Sequence, residues 1–198
     1  MEAETPAPFE TAGWPPVAFR VLRWYVVGRV EGDNGNSGSV IKRELMDASS
    51  HPPYMEALAV RPARLADAPA LANLATQLGY PSSPSQVEER MRRMLNDPSQ
   101  FIIVATSGSL VIGWAHAYVC RTVESDTSAE LGGLLVDESH RGIGMGGKLM
   151  GMVEEWARQK GCSIVSVRSN VLRHEAHRFY ASQGYDQIKT QYTFRKRL

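Results

Sequence analysis

The stretch that most limits what this chain can become runs from Asp137 to Gly147, where four glycines fall within eleven residues. Before it, Ala129 to Val136 reads as a strand. After it, Gly146 to Lys160 reads as a helix, because Leu149, Val153, Trp156 and Ala157 share one face while Glu154, Glu155 and Arg158 are left for solvent. A strand that passes through a glycine loop into a helix calls for an α/β layer. The glycines permit positive φ and close backbone approach, and the helix start adds roughly half a positive charge. Together these make a cradle suited to a pyrophosphate, and Arg141 adds a planar cation that matches phosphate oxygens. The plainer alternative is a flexible strand-to-helix turn.

The rest of the pattern fits the same class. Ala57 to Arg64 alternates like a strand, and Asp67 is placed to cap a helix whose Leu71, Leu74, Ala75 and Leu78 recur at helical spacing until Gly79 ends it. Ser83-Pro84-Ser85-Gln86 combines a capping box with proline at the first helical position. It opens a second helix with Val87, Met91, Met94 and Leu95 inward, stopped at Asp97-Pro98. Phe101 to Thr106 and Leu110 to Arg121 are apolar, β-branched and aromatic runs joined by Ser107-Gly108-Ser109, a hairpin pattern. A strand from Ser163 to Ser169, a helix from about Arg173 to Gln183 and a last strand from Gln187 to Phe194 complete it. The expected order is β-α-α-β-β-β-α-β-α-β: a mixed, mostly antiparallel central sheet with flanking helices.

At 198 residues the chain holds one ordinary domain and an appendage. Residues 32–54 are rich in Gly, Asn, Ser and Pro, so residues 1–54 are read as a poorly ordered extension or linker and residues 55–198 as the domain. Met46 and Met55 are alternative starts that would leave that domain whole. The 22 Lys and Arg residues stand against 21 acidic ones, so nothing general attracts nucleic acid or an anionic membrane, and any anion site must be local. Arg20, Arg23 and Arg29 interrupt the longest apolar stretch, and the first residues lack the basic start of a secretory signal. A cytoplasmic protein without a membrane span is expected. Cys120 and Cys162 lie outside any C-x-x-C or His-paired pattern, which points to neither a disulfide nor a metal site.

Three phosphate motifs compete for the glycine loop. A Walker A loop would need a magnesium-binding hydroxyl after Lys148, where Leu149 stands. A dinucleotide fingerprint is formally met by Gly142, Gly144 and Gly147, yet five residues separate the strand from its first glycine and no acid follows about 20 residues on. Arg168 would suit a phosphorylated ribose, so a nucleotide-dependent oxidoreductase stays as an alternative. The third motif, R/Q-x-x-G-x-G/A, is met by Arg141, Gly144 and Gly146.

With that motif the chain resembles the GNAT superfamily of acetyl-CoA-dependent N-acetyltransferases. Glu130 to Val136 looks like the family's splayed strand, and Ala176-His177-Arg178-Phe179-Tyr180 with Gly184-Tyr185 looks like its A-x-x-F-Y and G-F/Y signature. The resemblance runs from about Ala57 to the C-terminus, and Ser169 to Tyr180 is similar to the aminoalkylphosphonate acetyltransferase subgroup. It implies a GNAT-like acyltransferase fold, acetyl-CoA as cofactor and direct acetyl transfer to a primary amine in a ternary complex. A small-molecule acceptor is expected, with a homodimer left open. A sensor that binds acetyl-CoA without turnover is the non-enzymatic alternative.

By the same resemblance the backbone of Leu134, Leu135 and Val136 would pair with the pantetheine arm. Arg141, Gly142, Ile143, Gly144, Met145 and Gly146 would hold the pyrophosphate, and Tyr180 would face the thioester sulfur. A phenol ionising near ~10 can donate a proton to a thiolate whose thiol ionises near ~8.5. An amine with pKa about 10.4 must be attacked through its neutral form, which costs about 4 to 5 kcal/mol at pH 7. Glu130, eleven residues before Arg141, matches the position of a strand glutamate used as base in some family members. A solvated strand-edge acid is its other reading. His116 is read as structural. Where many members carry Asn three residues before the helix Ala, this chain has Arg173.

Overall fold

A computed structural model describes residues 57–198; the extension expected at residues 1–54 lies outside the described residues. Five strands form one sheet in chain order: β1 (Leu58–Pro62), β2 (Gln100–Ser107), β3 (Leu110–Cys120), β4 (Ser128–Val136) and β5 (Val165–Val167). The first four pair antiparallel, with the β2–β3 turn at Gly108 in positive φ. β5 pairs parallel to β4, which requires a long crossover. That crossover is α3 (Met145–Gln159).

Side-chain alternation divides the domain into two apolar layers. Ile102 and Val104 of β2 face α1 (Ala68–Gln77) and α2 (Pro84–Met94), where Leu71, Ala72, Val87 and Met91 are buried. Phe101, Ile103 and Ala105 face the other way, onto Leu149, Val153 and Trp156 of α3. A strand covered on both faces reads as an unbroken apolar run, as Phe101 to Ala105 does. Phe101 and Trp156 stack with centroids 5.1 Å apart.

The capping box at Ser83 forms as expected: its hydroxyl accepts from the Gln86 amide, and the Gln86 side chain accepts from the Ser83 amide. Asp67 precedes α1 but does not cap it. Its carboxylate turns back to the Arg64 amide at 2.7 Å and to the Arg61 guanidinium at 2.7 and 2.8 Å, because a paired charge gains more than a single amide contact when it is buried. Leu95, expected inward, is exposed one residue past α2.

Two strand expectations are corrected. β5 is shorter than Ser163 to Ser169, since its pairing stops at Leu131 with Val167. The last strand, Gln187 to Phe194, does not form. Among the described residues nothing pairs with it, and Ile188, Tyr192 and Phe194 are exposed. The chain's last regular element is α4 (His174–Ser182).

β4 carries an irregularity. His116 opposes Gly133 while Ala117 opposes Leu131, so Gly132 is an extra residue on β4, a bulge. A Cβ at Gly132 would stand 3.0 Å from His116 Nδ1, and one at Gly133 would stand 2.5 Å from Trp114 Cη2. Only glycine admits those rings. A bulge bends and twists its strand, and β4 parts from β5 immediately before this one. Cys120 and Cys162 are free thiols, and no described helix is long and apolar enough to cross a membrane.

Candidate functional site

Where β4 and β5 part, a groove of about 970 Å3 opens, walled by β4 from Leu131 to Val136 and by the chain from Val167, the end of β5, to Asn170. Its floor is the glycine loop and the start of α3, and Phe179 and Tyr180 of α4 close one side. Past Leu131, β4 has no strand partner on its β5 side, so backbone amides and carbonyls there face the groove rather than a neighbouring strand.

Hydrogen bonds fix the loop before its glycines begin. Asp137 accepts from the Ser139 amide at 3.0 Å, from the Ser139 hydroxyl, and from Gln77 Nε2 at 2.9 Å at the end of α1; His140 Nδ1 lies at 3.2 Å. These bonds, Gln77 foremost, hold its carboxyl well below the usual range. Arg141 Nε donates to the Val136 carbonyl at 3.1 Å, which sets the guanidinium beside the loop.

Gly142 and Gly144 follow with φ of +81° and +80°. Gly144 is the N-cap of α3, with no side chain to satisfy the helix's first amides, which also lack intrahelical acceptors. A Cβ at either glycine would meet nothing within 4 Å, so the space before the loop is open. Gly146 and Gly147 serve packing instead. A Cβ there would press on Phe179 at 3.2 Å or on Gln183 Oε1 at 3.0 Å, so these two let α3 lie close to α4.

Leu134, Leu135, Val136, Arg141, Gly142, Gly144, Met145, Gly146 and Tyr180 all line the groove. Ile143 does not; its side chain is exposed. Tyr180 sits edge-on to Phe179 at 5.5 Å, and no hydrogen bond engages its hydroxyl among the described residues. Burial pushes its phenol up, opposed by the positive charge of Arg173.

Glu130 is off the groove wall. It is 7 % exposed, which removes the reading of a solvated strand-edge acid. It stands in a cross-strand row with Tyr118 and Ser166, and Arg168 Nε lies 3.0 Å from its Oε1. Burial pushes its carboxyl up, against the pull of Arg168. Arg168 itself lines the groove, so it connects Glu130 to that space. His116 Nε2 donates to Gln100 Oε1 at 2.8 Å, and burial lowers its pKa, in keeping with a structural, neutral ring.

Two features escaped the sequence reading. Gly132-Gly133 form the bulge that opens the groove, and a glycine inside a strand pattern was its available signal. Arg173, noted only as a departure, donates to the Leu78 carbonyl at 2.6 Å and joins the start of α4 to the end of α1. No local pattern signals a contact 95 residues apart.

A model described as the acetyltransferase (GNAT) family matches residues 68–185. The aminoglycoside N(6')-acetyltransferase type 1 of Serratia marcescens is 28% identical over 131 residues, covering 63% of this chain and 89% of that protein. The aminoalkylphosphonate N-acetyltransferase of Salmonella typhimurium is 38% identical over 100 residues, 50% of this chain and 65% of that protein. Among solved structures, aminoglycoside N-acetyltransferase AAC(6')-Iy in complex with CoA superposes with a TM-score of 0.66 at 19% identity, over 74% of this chain and 99% of that one.

Proposed function

Because the chain belongs to the GNAT acetyltransferase family, we propose that it passes the acetyl group of acetyl-CoA directly to a primary amine of a small molecule, within a ternary complex. One juxtaposition carries this reading: the unpaired edge of β4, the positive-φ glycines before α3 and the Tyr180 phenol all meet in one groove. Acetyl-CoA supplies an activated thioester and a leaving thiolate. The residues fit it. Backbone groups of Leu134 to Val136 suit the amide-bearing arm as an added strand. The loop from Arg141 to Gly146, open in front of Gly142 and Gly144, suits the phosphates. That the two curated relatives are named for an aminoglycoside and an aminoalkylphosphonate supports a small amine as acceptor.

In this reading Tyr180 holds the proton that the leaving sulfur needs, and Glu130 receives the proton that the amine gives up, through Arg168-ordered water. A base works only when ionised. Burial raises the Glu130 carboxyl, so activity should rise with pH along a limb lying above the ordinary glutamate range. Glu130→Gln is expected to erase that limb from the pH profile of kcat/KM. At neutral pH the loss should be about tenfold, smaller than the hundredfold typical of direct transfer because Glu130 lies off the groove. An unchanged acid limb in the variant would leave Glu130 a structural partner of Arg168.

The test of the cofactor is thermal. Acetyl-CoA should raise the melting temperature and NADPH should not, because a ligand that binds only the folded state stabilises it by mass action. Stabilisation by NADPH alone would instead favour the oxidoreductase. Release of CoA in the presence of an amine panel separates an enzyme from a sensor.

A further inference from the structure

The groove carries positive charge at both ends, and the phosphates of acetyl-CoA account for only one of them. Arg141 stands at the glycine loop, its Nε on the Val136 carbonyl. Arg168 stands at the far end. Val167 pairs with Leu131, so Arg168 enters where β4 has just parted from β5, about 15 Å of strand away from Val136. Phosphates seated on the loop leave that end to the thioester and to the amine that attacks it. The arm of the cofactor bears no charge there for Arg168 to meet.

The surroundings of Arg168 suit an incoming anion. Its side chain is 74 % exposed and lines the groove, while its Nε is held 3.0 Å from Glu130 Oε1. Glu130 is buried in the sheet row with Tyr118 and Ser166, which anchors one edge of the guanidinium on the protein. A guanidinium has more N–H donors than one carboxylate accepts, and no further hydrogen bond or ion pair engages Arg168 among the described residues. Burial pushes the Glu130 carboxyl and the Tyr118 phenol up, and Arg168 pulls both back, so its charge acts at that end. Among the described residues Glu175 is the one acid that lines the groove, against Arg141, Arg168 and Arg173. Arg173 is already engaged by the Leu78 carbonyl.

We propose that Arg168 determines acceptor specificity, and that the acceptor is a small amine carrying an anionic group, carboxylate or phosphonate, close to its nitrogen. This rests on the acetyl-transfer reading of the same groove. The planar fork of Arg168 grips the acid by paired hydrogen bonds. The amine, losing its proton toward Glu130, and the acid, held on Arg168, are then read together as one zwitterion. The transfer step is unchanged: nitrogen bonds the acetyl carbon, the carbon–sulfur bond breaks, Glu130 takes the amine's proton and sulfur takes one from Tyr180. A second ammonium would instead face Arg168 and Arg173 in a cleft that concentrates their field, so polycationic amines are disfavoured.

The test is CoA release from acetyl-CoA with β-alanine, aminoethylphosphonate, propanolamine and putrescine. For the native full chain, kcat/KM for at least one of the two acids should exceed that for propanolamine by about ten- to hundredfold, the scale of a charged hydrogen-bonded contact, with putrescine lowest. Either acid leading supports the proposal and tells carboxylate from phosphonate. Arg168→Gln should bring the ratio of acid to propanolamine close to one, and Arg168→Lys should restore part of it. The ratio cancels any effect of the substitution on Glu130 or on the fold, which would touch all four amines alike. Binding supplies a readout without turnover: on protein saturated with CoA, the favoured acid should raise the melting temperature where propanolamine at equal concentration does not. Equal rates for the acids and propanolamine, a preference for putrescine, or an acid preference that survives Arg168→Gln would overturn the proposal and leave acetyl transfer standing. Acids that neither release CoA nor stabilise the CoA complex would overturn it too, and the thermal shift with acetyl-CoA alone then reports separately on the acetyl-transfer reading.

Discussion

Gly144→Val should abolish acetyl-CoA binding while leaving the domain folded, seen as loss of the thermal shift with little change in the ligand-free melting curve. Gly144 holds φ of +80° as the N-cap of α3. A β-branched residue resists that region at a cost of order 1–3 kcal/mol, so the loop would relax and turn its amides away from the groove. No described atom lies within 4 Å of the added Cβ, so the side chain damages no packing. It occupies the space through which, in the proposed reading, a phosphate approaches. A loss of about 3 kcal/mol corresponds to more than a hundredfold in Kd, which removes the thermal shift at ligand concentrations near the native Kd. Normal binding by this variant would mean that the cofactor lies elsewhere in the groove.

Tyr180→Phe should fail in the complementary assay. We expect kcat to fall about a hundredfold, the usual scale of general acid work, with acetyl-CoA affinity close to normal. In the proposed mechanism the hydroxyl acts as charge develops on sulfur, so its removal should cost the transition state more than the bound ground state. Burial raises the phenol pKa, which keeps the donor protonated throughout the neutral range. The deficit should therefore be the same at every pH where the native enzyme works. Full turnover in the variant would reduce Tyr180 to a packing residue between Phe179 and Tyr185.

Local chemistry was legible in the sequence wherever the physics is local. The Ser83 capping box, the apolar face of α3 and the positive-φ glycine loop depend on residues within a turn or two of one another, and each stands where its pattern placed it. What escaped depends on partners far along the chain. The Gln187 to Phe194 pattern gives strand propensity, but a strand exists only once another offers its edge. Glu130 alternates in β4 like any strand residue, and its burial comes from flanking strands that its own segment does not encode. Asp67 shows the limit even at short range: its position before a helix was readable, while its preference for Arg61 over the helix amides was not.

The extra residue in β4 also works as a phase shift. Ahead of Gly132 the odd-numbered positions Ala129 and Leu131 face α3; behind it the even-numbered Leu134 and Val136 do. Both halves of the strand therefore keep an apolar face on the same helix even though they are out of step. Loss of this one codon would return the strand to strict alternation with Leu134 and Val136 still on the α3 face, and would remove the bend that parts β4 from β5. In evolutionary terms the groove hangs on an insertion rather than on any side chain, so a lineage could lose it through a single in-frame deletion with every groove-lining side chain still encoded.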